Sequence, residues 1–218
     1  MVVAAGRGER LGSRRPKALV SLAGKPMVQW SVDALREIPG VERIVVALPA
    51  DELDAVPAGA IATAGGKARS ESVRNALAAS GEGDPVIVHD AARPLAPAEL
   101  FVTALAELER SGADAVIAAT KVSDTIKEVE VDGHTVRRTL DRSNLWAVQT
   151  PQVFRRPALE RALRDASAEM LATATDDAWL VEQFGGTVRL VDGGAQNIKV
   201  TSATDLRLAE LLLTARTG

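Results

Sequence analysis

Short runs of apolar residues alternate with longer amphipathic stretches along almost the whole chain, and this alternation limits the folds it can adopt. The runs are bounded by turn residues, which predicts buried strands at 2–5, 43–48, 86–89, 115–119 and 188–191. Between them, apolar residues at helical spacing predict helices at 27–38, 71–79, 97–110 and 204–215. The alternation indicates an α/β fold, a mostly parallel Rossmann-like sheet with helices on both faces, in a single domain spanning 1–218.

Composition narrows the functional classes. The 218 residues are 46% hydrophobic and 25% charged, which is typical of a folded globular protein. The formal net charge of -3 lacks the basic excess of a nucleic-acid surface. There is no cysteine, and His89 and His134 are the only histidines, so cysteine catalysis and a multi-histidine metal site are excluded within one chain. Without an apolar run of ~20 residues or a basic-then-apolar leader, we expect a cytoplasmic protein with no membrane or nucleic-acid partner.

One segment, 122–140, departs from the alternation of strands and helices. Asp132-Gly133 lies between alternating apolar residues, which is a strong signal for a β-hairpin inserted as an arm. A two-stranded ribbon is marginally stable by itself in water, so the arm needs a surface to pack on. That surface is either its own domain or a second subunit, and we favour the second subunit, which predicts a homodimer.

A glycine-rich loop with cationic residues, 4–17, directly follows the first predicted strand. Its glycines let the backbone turn N–H groups toward an anion, and its arginine and lysine side chains suit a triphosphate. Leu11 occupies the position where a dinucleotide-binding fingerprint needs glycine, and Gly24-Lys25 is followed by Pro26, so no P-loop is present. A glycine-rich turn with solvated arginines remains the alternative.

Two further motifs lie in the middle of the chain. Asp90 follows an apolar run, where α/β sheets bind ligands, and a carboxylate there can hold Mg²⁺ against phosphate oxygens. A helix cap is the alternative for Asp90. The segment 65–73 begins with Gly65-Gly66 and opens into a helix. Its backbone groups can bind a base and its serine hydroxyls a ribose, with a simple capping turn as the alternative.

The last two motifs lie toward the carboxyl terminus. Thr175 or Asp176 is the expected N-cap of a helix, and a helix N-terminus also attracts anions. The segment 197–201 predicts a short strand that carries Lys199. A solvated charge at a sheet edge is the alternative for that lysine.

Taken together, these motifs resemble the 2-C-methyl-D-erythritol 4-phosphate cytidylyltransferase family of the non-mevalonate isoprenoid route. The pattern is Ala-Ala-Gly-x-Gly-x-Arg-(x)₅-Pro-Lys, Gly-Gly-x-x-Arg-x-x-Ser-Val, His-Asp-Ala-Ala-Arg-Pro, Thr-Pro-Gln, Thr-Asp-x-Ala and Asn-Ile-Lys-Val-Thr. Each motif is weak alone, but the set is specific and covers essentially the whole chain. The resemblance implies a nucleotidyltransferase (glycosyltransferase-A-like) fold and transfer of CMP from CTP to 2-C-methyl-D-erythritol 4-phosphate, with release of pyrophosphate.

The resemblance also implies roles for individual residues. The catalytic cations are Arg10, Lys17 and Lys199. CTP is held by Ala4, Ala5, Gly6, Gly8, Gly65, Gly66, Arg69, Ser72, Asp90 and Ala91, and Asp90 also faces Mg²⁺. The phosphorylated polyol is held by Arg93, Thr125, Arg142, Thr150 and Thr175. Thr125, Arg142 and Thr150 would reach the acceptor of the partner subunit, because the arm of the family forms the dimer.

Four other functions are considered at this point. A ribitol-5-phosphate cytidylyltransferase would share the nucleotide loops and differ in the acceptor pocket. A sugar-1-phosphate nucleotidyltransferase usually carries longer sugar-binding insertions. A non-catalytic nucleotide-binding regulator would not need Arg10, Lys17, Asp90 and Lys199 together, and a dinucleotide oxidoreductase is disfavoured by Leu11.

Overall fold

The computed structural model describes residues 1–6 and 15–217. The strands are β1 (Val2–Val3), β2 (Ser21–Leu22), β3 (Lys25–Pro26), β4 (Val45–Leu48), β5 (Ile61–Ala64), β6 (Val86–Asp90), β7 (Ala115–Lys121), β8 (Lys127–Val129), β9 (Val136–Thr139), β10 (Trp146–Phe154) and β11 (Val188–Asp192). The α-helices are α1 (Met27–Arg36), α2 (Arg69–Ala79), α3 (Ala98–Ser111), α4 (Arg156–Asp165), α5 (Ala168–Thr173), α6 (Asp177–Gln183) and α7 (Ala203–Thr217). No described helix is long and apolar enough to cross a membrane.

Seven strands form one sheet in the order β11-β7-β10-β6-β1-β4-β5. Each neighbouring pair is parallel except the two pairs that contain β10, which is antiparallel to both β6 and β7. The predicted α/β class and mostly parallel sheet are therefore confirmed. Strands β5 and β10 of this sheet and helices α4 and α5 were not predicted.

The sheet is covered on both faces, because successive residues of a strand point to opposite sides. On one face, Val46 of β4 and Val116 of β7 share an apolar cluster with residues of α1 and α3. On the other face, Val45 and Ile117 share a cluster with residues of α2, α4, α5 and α6. This double coverage explains why the central parallel strands are continuous apolar runs.

Two helix ends have residues suited to them. Helix α3 begins after Pro97 and ends at Ser111, and Gly112 after it takes the left-handed conformation at φ +65°. Helix α6 begins after Asp176, whose side chain accepts a hydrogen bond from the backbone N–H of Trp179 at 2.8 Å. The predicted N-cap is therefore confirmed at Asp176.

The predicted hairpin is also confirmed. Strands β8 and β9 pair antiparallel, and Gly133 in the turn has φ +74°. The Asp132 carboxylate accepts hydrogen bonds from the backbone N–H groups of His134 and Thr135, both at 2.8 Å. The hairpin exposes Val131 and neighbouring valines, and its contact with a second subunit stays a prediction.

The predicted strand at 197–201 is wrong. After β11, the chain passes Gly193 and Gly194 and crosses toward the end of β6 instead of pairing along the sheet. Asn197 fixes this path, because its amide Nδ2 donates to the backbone O of Thr150 at 2.9 Å. The backbone N–H of Val200 then donates to the O of Ala92 at 2.8 Å. Side-chain and loop hydrogen bonds thus replace the expected ladder.

Candidate active site

A cavity of about 250 Å³ opens at the carboxyl ends of β1 and β6. The loop after β1, the start of α2 and the residues after β6 form its walls. Its lining contains the following residues assigned to the catalytic and CTP-binding sets: Ala4, Ala5, Gly6, Lys17, Gly66, Arg69, Ser72, Asp90, Ala91 and Lys199. The structure therefore brings together residues that lie far apart in the sequence.

Hydrogen bonds fix the backbone at the rim of this first cavity. Gly65 N–H donates to the O of Leu48 at 2.7 Å, and Gly66 N–H donates to the Ser72 hydroxyl at 3.0 Å. A Cβ on Gly65 would lie 2.2 Å from the Cβ of Ala5, so only glycine allows this approach. Gly65 lines a cleft next to the first cavity, together with Ala5 and Gly66.

A second cavity, of about 390 Å³, lies next to the first. Its lining includes Arg93, Thr150 and Thr175, all three predicted to bind the acceptor. Thr150 was expected to reach the acceptor of the partner subunit, but it lines a cavity of its own chain. It also includes residues that sequence reasoning did not place in a binding site: Gln149, Gln152, Asp176, Trp179 and Glu182. Gln152 and Asp176 had a signal in the sequence, because they lie in the Thr-Pro-Gln and Thr-Asp-x-Ala motifs.

The two cavities share one wall, which consists of Arg69, Asp90 and Lys199. Asp90 accepts a hydrogen bond from Arg69 Nε at 3.0 Å on one carboxylate oxygen and from Lys199 Nζ at 2.8 Å on the other. Arg69 also contacts Asp177 at the start of α6, because its Nη1 donates a hydrogen bond to the Asp177 carboxylate. Asp90 is therefore neither a helix cap nor isolated.

Electrostatic interactions keep Asp90 and Arg69 ionised. Burial opposes the charge on Asp90, but Arg69 and Lys199 outweigh it and hold the pKa of the carboxyl well below its usual range. Burial likewise opposes the charge on Arg69, yet Asp177 and Asp90 raise its pKa. The positive charge of Arg69 thus borders both cavities at neutral pH.

His89 is a neutral imidazole that links the backbone of Arg93 to the side chain of Thr150. Its Nε2 lies 3.2 Å from the O of Arg93, and its Nδ1 lies 2.9 Å from Thr150 Oγ1. Thr150 Oγ1 also accepts from the backbone N–H of Asp90 at 3.1 Å. These contacts are satisfied together when Nε2 donates and Nδ1 accepts from the Thr150 hydroxyl. Burial lowers the pKa of His89 to about 4.

The buried His89 predicts a pH dependence of stability. Its folded pKa of about 4 lies below its ordinary 6.5, so the unfolded chain takes up a proton first as pH falls. This one group should lower the free energy of unfolding by about 3 kcal/mol as pH drops from 6.5 through 4. Urea unfolding of His89→Gln at several pH values should show a correspondingly weaker acid dependence. His134→Gln, on the exposed hairpin, is the control and should match the unmodified protein; equal acid dependence in all three would contradict the role of His89.

Two of the predicted acceptor residues lie outside both cavities. Thr125 and Arg142 are exposed near the hairpin and line neither cavity of this chain, and Arg142 donates through Nη1 to the O of Ser123. Gly8 and Arg10 fall outside the described residues. Arg93 reaches the second cavity, but Nη1 and Nη2 already donate to the backbone O atoms of Asn197 and Val148, at 2.6 and 3.1 Å.

The metal prediction can be tested against the donor groups. Within residues 1–6 and 15–217, no three His, Cys, Asp or Glu side chains form a cluster able to hold an ion. Asp90 nevertheless fits a magnesium site of another kind, because Mg²⁺ often takes one carboxylate with phosphate oxygens and water. Each Asp90 oxygen accepts a hydrogen bond from one cation of the wall, and a carboxylate oxygen has a further lone pair.

Comparison with known proteins identifies the family of this chain. The model of the family described as 2-C-methyl-D-erythritol 4-phosphate cytidylyltransferase matches residues 1–215. The chain belongs to this family. A relative with that name from Frankia casuarinae is 48% identical over 218 residues, which cover 98% of this chain and 80% of the relative. One from Rhodococcus jostii is 44% identical over 217 residues and covers 98% and 93%.

Solved structures agree with the family assignment. The crystal structure of the 2-C-methyl-D-erythritol 4-phosphate cytidylyltransferase from Thermus thermophilus matches with a TM-score of 0.81 at 33% identity, over 98% of this chain and 97% of that one. The predicted nucleotidyltransferase fold is therefore confirmed. Membership makes the chain a cytidylyltransferase, and the regulator without catalysis is no longer an alternative.

Proposed function

We propose that this cytidylyltransferase transfers CMP from CTP to 2-C-methyl-D-erythritol 4-phosphate. The observation that carries the proposal is the wall shared by the two cavities, in which Arg69 and Lys199 flank Asp90. Transfer between two phosphorylated substrates needs their phosphates to meet at one point with positive charge on both sides. The first cavity takes CTP, and the second takes the acceptor.

The reaction is an in-line displacement. A phosphate oxygen of the acceptor forms a bond to the α-phosphorus of CTP, and the bond from that phosphorus to the bridging oxygen of the β-phosphate breaks. The products are 4-diphosphocytidyl-2-C-methyl-D-erythritol and pyrophosphate. Because the attacking phosphate is already ionised, no general base and no covalent enzyme intermediate are needed. Catalysis then rests on positioning and on stabilising negative charge.

The residues around the first cavity have different roles in the reaction. Lys17 and Lys199 stabilise charge on the phosphates of CTP, and the family resemblance assigns the same role to Arg10, which lies outside the described residues. The backbone of Ala4, Ala5 and Gly6 approaches the triphosphate, and Gly65, Gly66 and Ser72 hold cytosine and ribose. Asp90 would hold Mg²⁺, which when bound supplies further positive charge to the triphosphate. Arg69 and Ala91 complete the nucleotide wall.

The second cavity offers polar groups suited to a polyol phosphate. Gln152 Oε1 and Arg93 Nε are buried and have no hydrogen-bond partner among the described protein atoms. Buried polar groups are normally paired, so these two favour a polar ligand nearby. Arg93, Thr150 and Thr175 contribute to this side, and Thr150 also holds His89.

We further propose a homodimer in which the hairpin arm of one protomer reaches the acceptor cavity of the other. The arm exposes Val129, Val131 and Val136, and a contact across a two-fold axis would bury them. Thr125 and Arg142 lie outside both cavities of their own chain, which fits a role in the partner subunit. A cytoplasmic location stays a prediction.

The shared site makes a kinetic prediction for Arg142. Arg142→Ala should raise the Michaelis constant of the acceptor by about tenfold or more and leave that of CTP within about twofold, since an arginine–phosphate contact is charge-assisted. Steady-state kinetics with each substrate varied tests this. Arg137→Ala, which removes an exposed arginine paired with Glu128 on the same hairpin, is the control. A larger change for CTP than for the acceptor would remove Arg142 from the acceptor site.

The acceptor is tested by pyrophosphate release with CTP and Mg²⁺, comparing 2-C-methyl-D-erythritol 4-phosphate with ribitol 5-phosphate. We expect release with the first acceptor and little with the second. Preference for ribitol 5-phosphate would keep the CTP cavity and overturn the acceptor. Release with neither, from folded protein that binds CTP, would overturn the proposed function.

A further inference from the structure

Asp177 is the first residue of α6, and its side chain is fully buried. It accepts a hydrogen bond from Arg69 Nη1 on Oδ2, while Arg69 Nε donates to Asp90 at 3.0 Å. The guanidinium of Arg69 is thus held between a carboxylate from α6 and one from the end of β6. Residues at the start of α6 line the second cavity, and Asp90 at the end of β6 borders both cavities.

The burial of a carboxylate here has no local explanation. Asp176 already caps α6, so the helix does not need Asp177 for its N-terminus. Burial raises the pKa of Asp177, and Arg69 offsets only part of that effect. The Oδ1 atom is buried with no partner among the described protein atoms. A residue that costs stability in this way is typical of a functional site.

The contact with Arg69 explains why a buried carboxylate lies at position 177. The side chain of Arg69 is 22% exposed, whereas those of Asp90 and Asp177 are 10% and 0% exposed, and Arg69 lines both cavities. Arginine is long and flexible, and a single carboxylate leaves its planar donor fork free to rotate. Two carboxylates that contact different nitrogens fix the plane, so the remaining donors point in a set direction.

We propose that Asp177 is a positioning residue for the transfer reaction. It holds the guanidinium of Arg69 in the wall between the nucleotide and acceptor cavities, so that one cation borders both phosphates. This inference rests on the proposed function, because it requires the two substrates to meet at that wall. Asp177 itself touches neither substrate.

The test is a double-mutant cycle with Arg69, measured as kcat and both Michaelis constants. Asp177→Asn keeps the shape but removes the charge, and we expect kcat to fall by about tenfold to a hundredfold, the range for a hydrogen bond to a charged group. Arg69→Lys cannot span both carboxylates. In the R69K background, D177N should change kcat by less than about twofold, because the coupling passes through the guanidinium.

A control separates positioning from stability. Glu160→Gln removes a carboxylate from another largely buried arginine, Arg156, whose ion pair lies outside both cavities. It should leave kcat within about twofold even if it lowers the melting temperature. Where D177N does not fold, Asp177→Glu replaces it: the charge is kept but displaced by one methylene, and kcat should fall severalfold only when Arg69 is present.

The outcomes are distinct. Loss of kcat that disappears in the R69K background supports the inference. Equal loss in both backgrounds, or normal kcat in D177N, overturns it. Unmodified enzyme that releases pyrophosphate with CTP and 2-C-methyl-D-erythritol 4-phosphate supports the proposed function by itself, so these results bear on Asp177 alone.

Discussion

Lys17→Ala should lower turnover by more than ~10²-fold, the scale for one electrostatic contact made in the transition state. Lys17 begins a short helical turn, Lys17–Leu19, and its backbone N–H donates to the O of Gly6 at 3.3 Å. This places the lysine in the lining of the first cavity, next to the loop that follows β1. Negative charge on the phosphoryl oxygens of CTP would lose one of its nearest cations.

Lys25→Ala is the matched control for that experiment. Lys25 pairs with Asp33 and lies against the ring of Trp30, away from both cavities. Its replacement should leave kcat within about twofold, because a partly exposed ion pair contributes little. A folded K17A enzyme with nearly normal kcat, confirmed by circular dichroism and CTP titration, would remove Lys17 from the catalytic set.

Asp90→Asn should have an effect of similar size and a second effect on stability. Removing the charge leaves Arg69 paired with Asp177 and takes from Lys199 the carboxylate to which it donates. Turnover should fall by more than ~10²-fold, because the cations at the wall lose their orientation and the site loses its candidate metal carboxylate. The free energy of unfolding should fall by about 2 kcal/mol, discounted because Lys199 is half-exposed.

The loss of turnover is measured by pyrophosphate release over a range of Mg²⁺ concentrations. The loss of stability is measured by urea unfolding. We expect D90N to need more Mg²⁺ for half-maximal rate. Asp33→Asn, which removes a carboxylate from the partly exposed pair with Lys25, should keep both turnover and Mg²⁺ dependence. A D90N enzyme with unchanged turnover would show that neither the cation network nor a metal at Asp90 is needed.

The central parallel strands could be predicted because each is a short, continuous apolar run buried on both faces. Strand β10 was not predicted, because its residues do not form a continuous apolar run. Gln149, Thr150 and Gln152 interrupt the apolar pattern, since this strand carries polar side chains to the second cavity and to the hydrogen bonds around it. A strand that serves a site therefore loses the periodicity by which strands are identified.

The residues that line the first cavity could also be grouped from the sequence, since its glycines and cations cluster in contiguous motifs. The shared wall could not be predicted, because its contacts join distant segments. Lys199 and Asp90 are separated by 109 positions, and Arg69 and Asp177 by 108. Sequence spacing could suggest a lone strand lysine and a helix start, but only the fold shows that the Asp90 carboxylate accepts hydrogen bonds from two cations.

The central claim is that the α-phosphate of CTP, carrying cytidine, passes to the acceptor at this wall. The most direct test uses CTP labelled with radioactive phosphorus at either the α or the γ position, with 2-C-methyl-D-erythritol 4-phosphate and Mg²⁺, followed by separation of products. We predict that the α label appears in the cytidylylated acceptor and the γ label in pyrophosphate. A γ label found in the acceptor, or an α label recovered only as free CMP, would contradict the account.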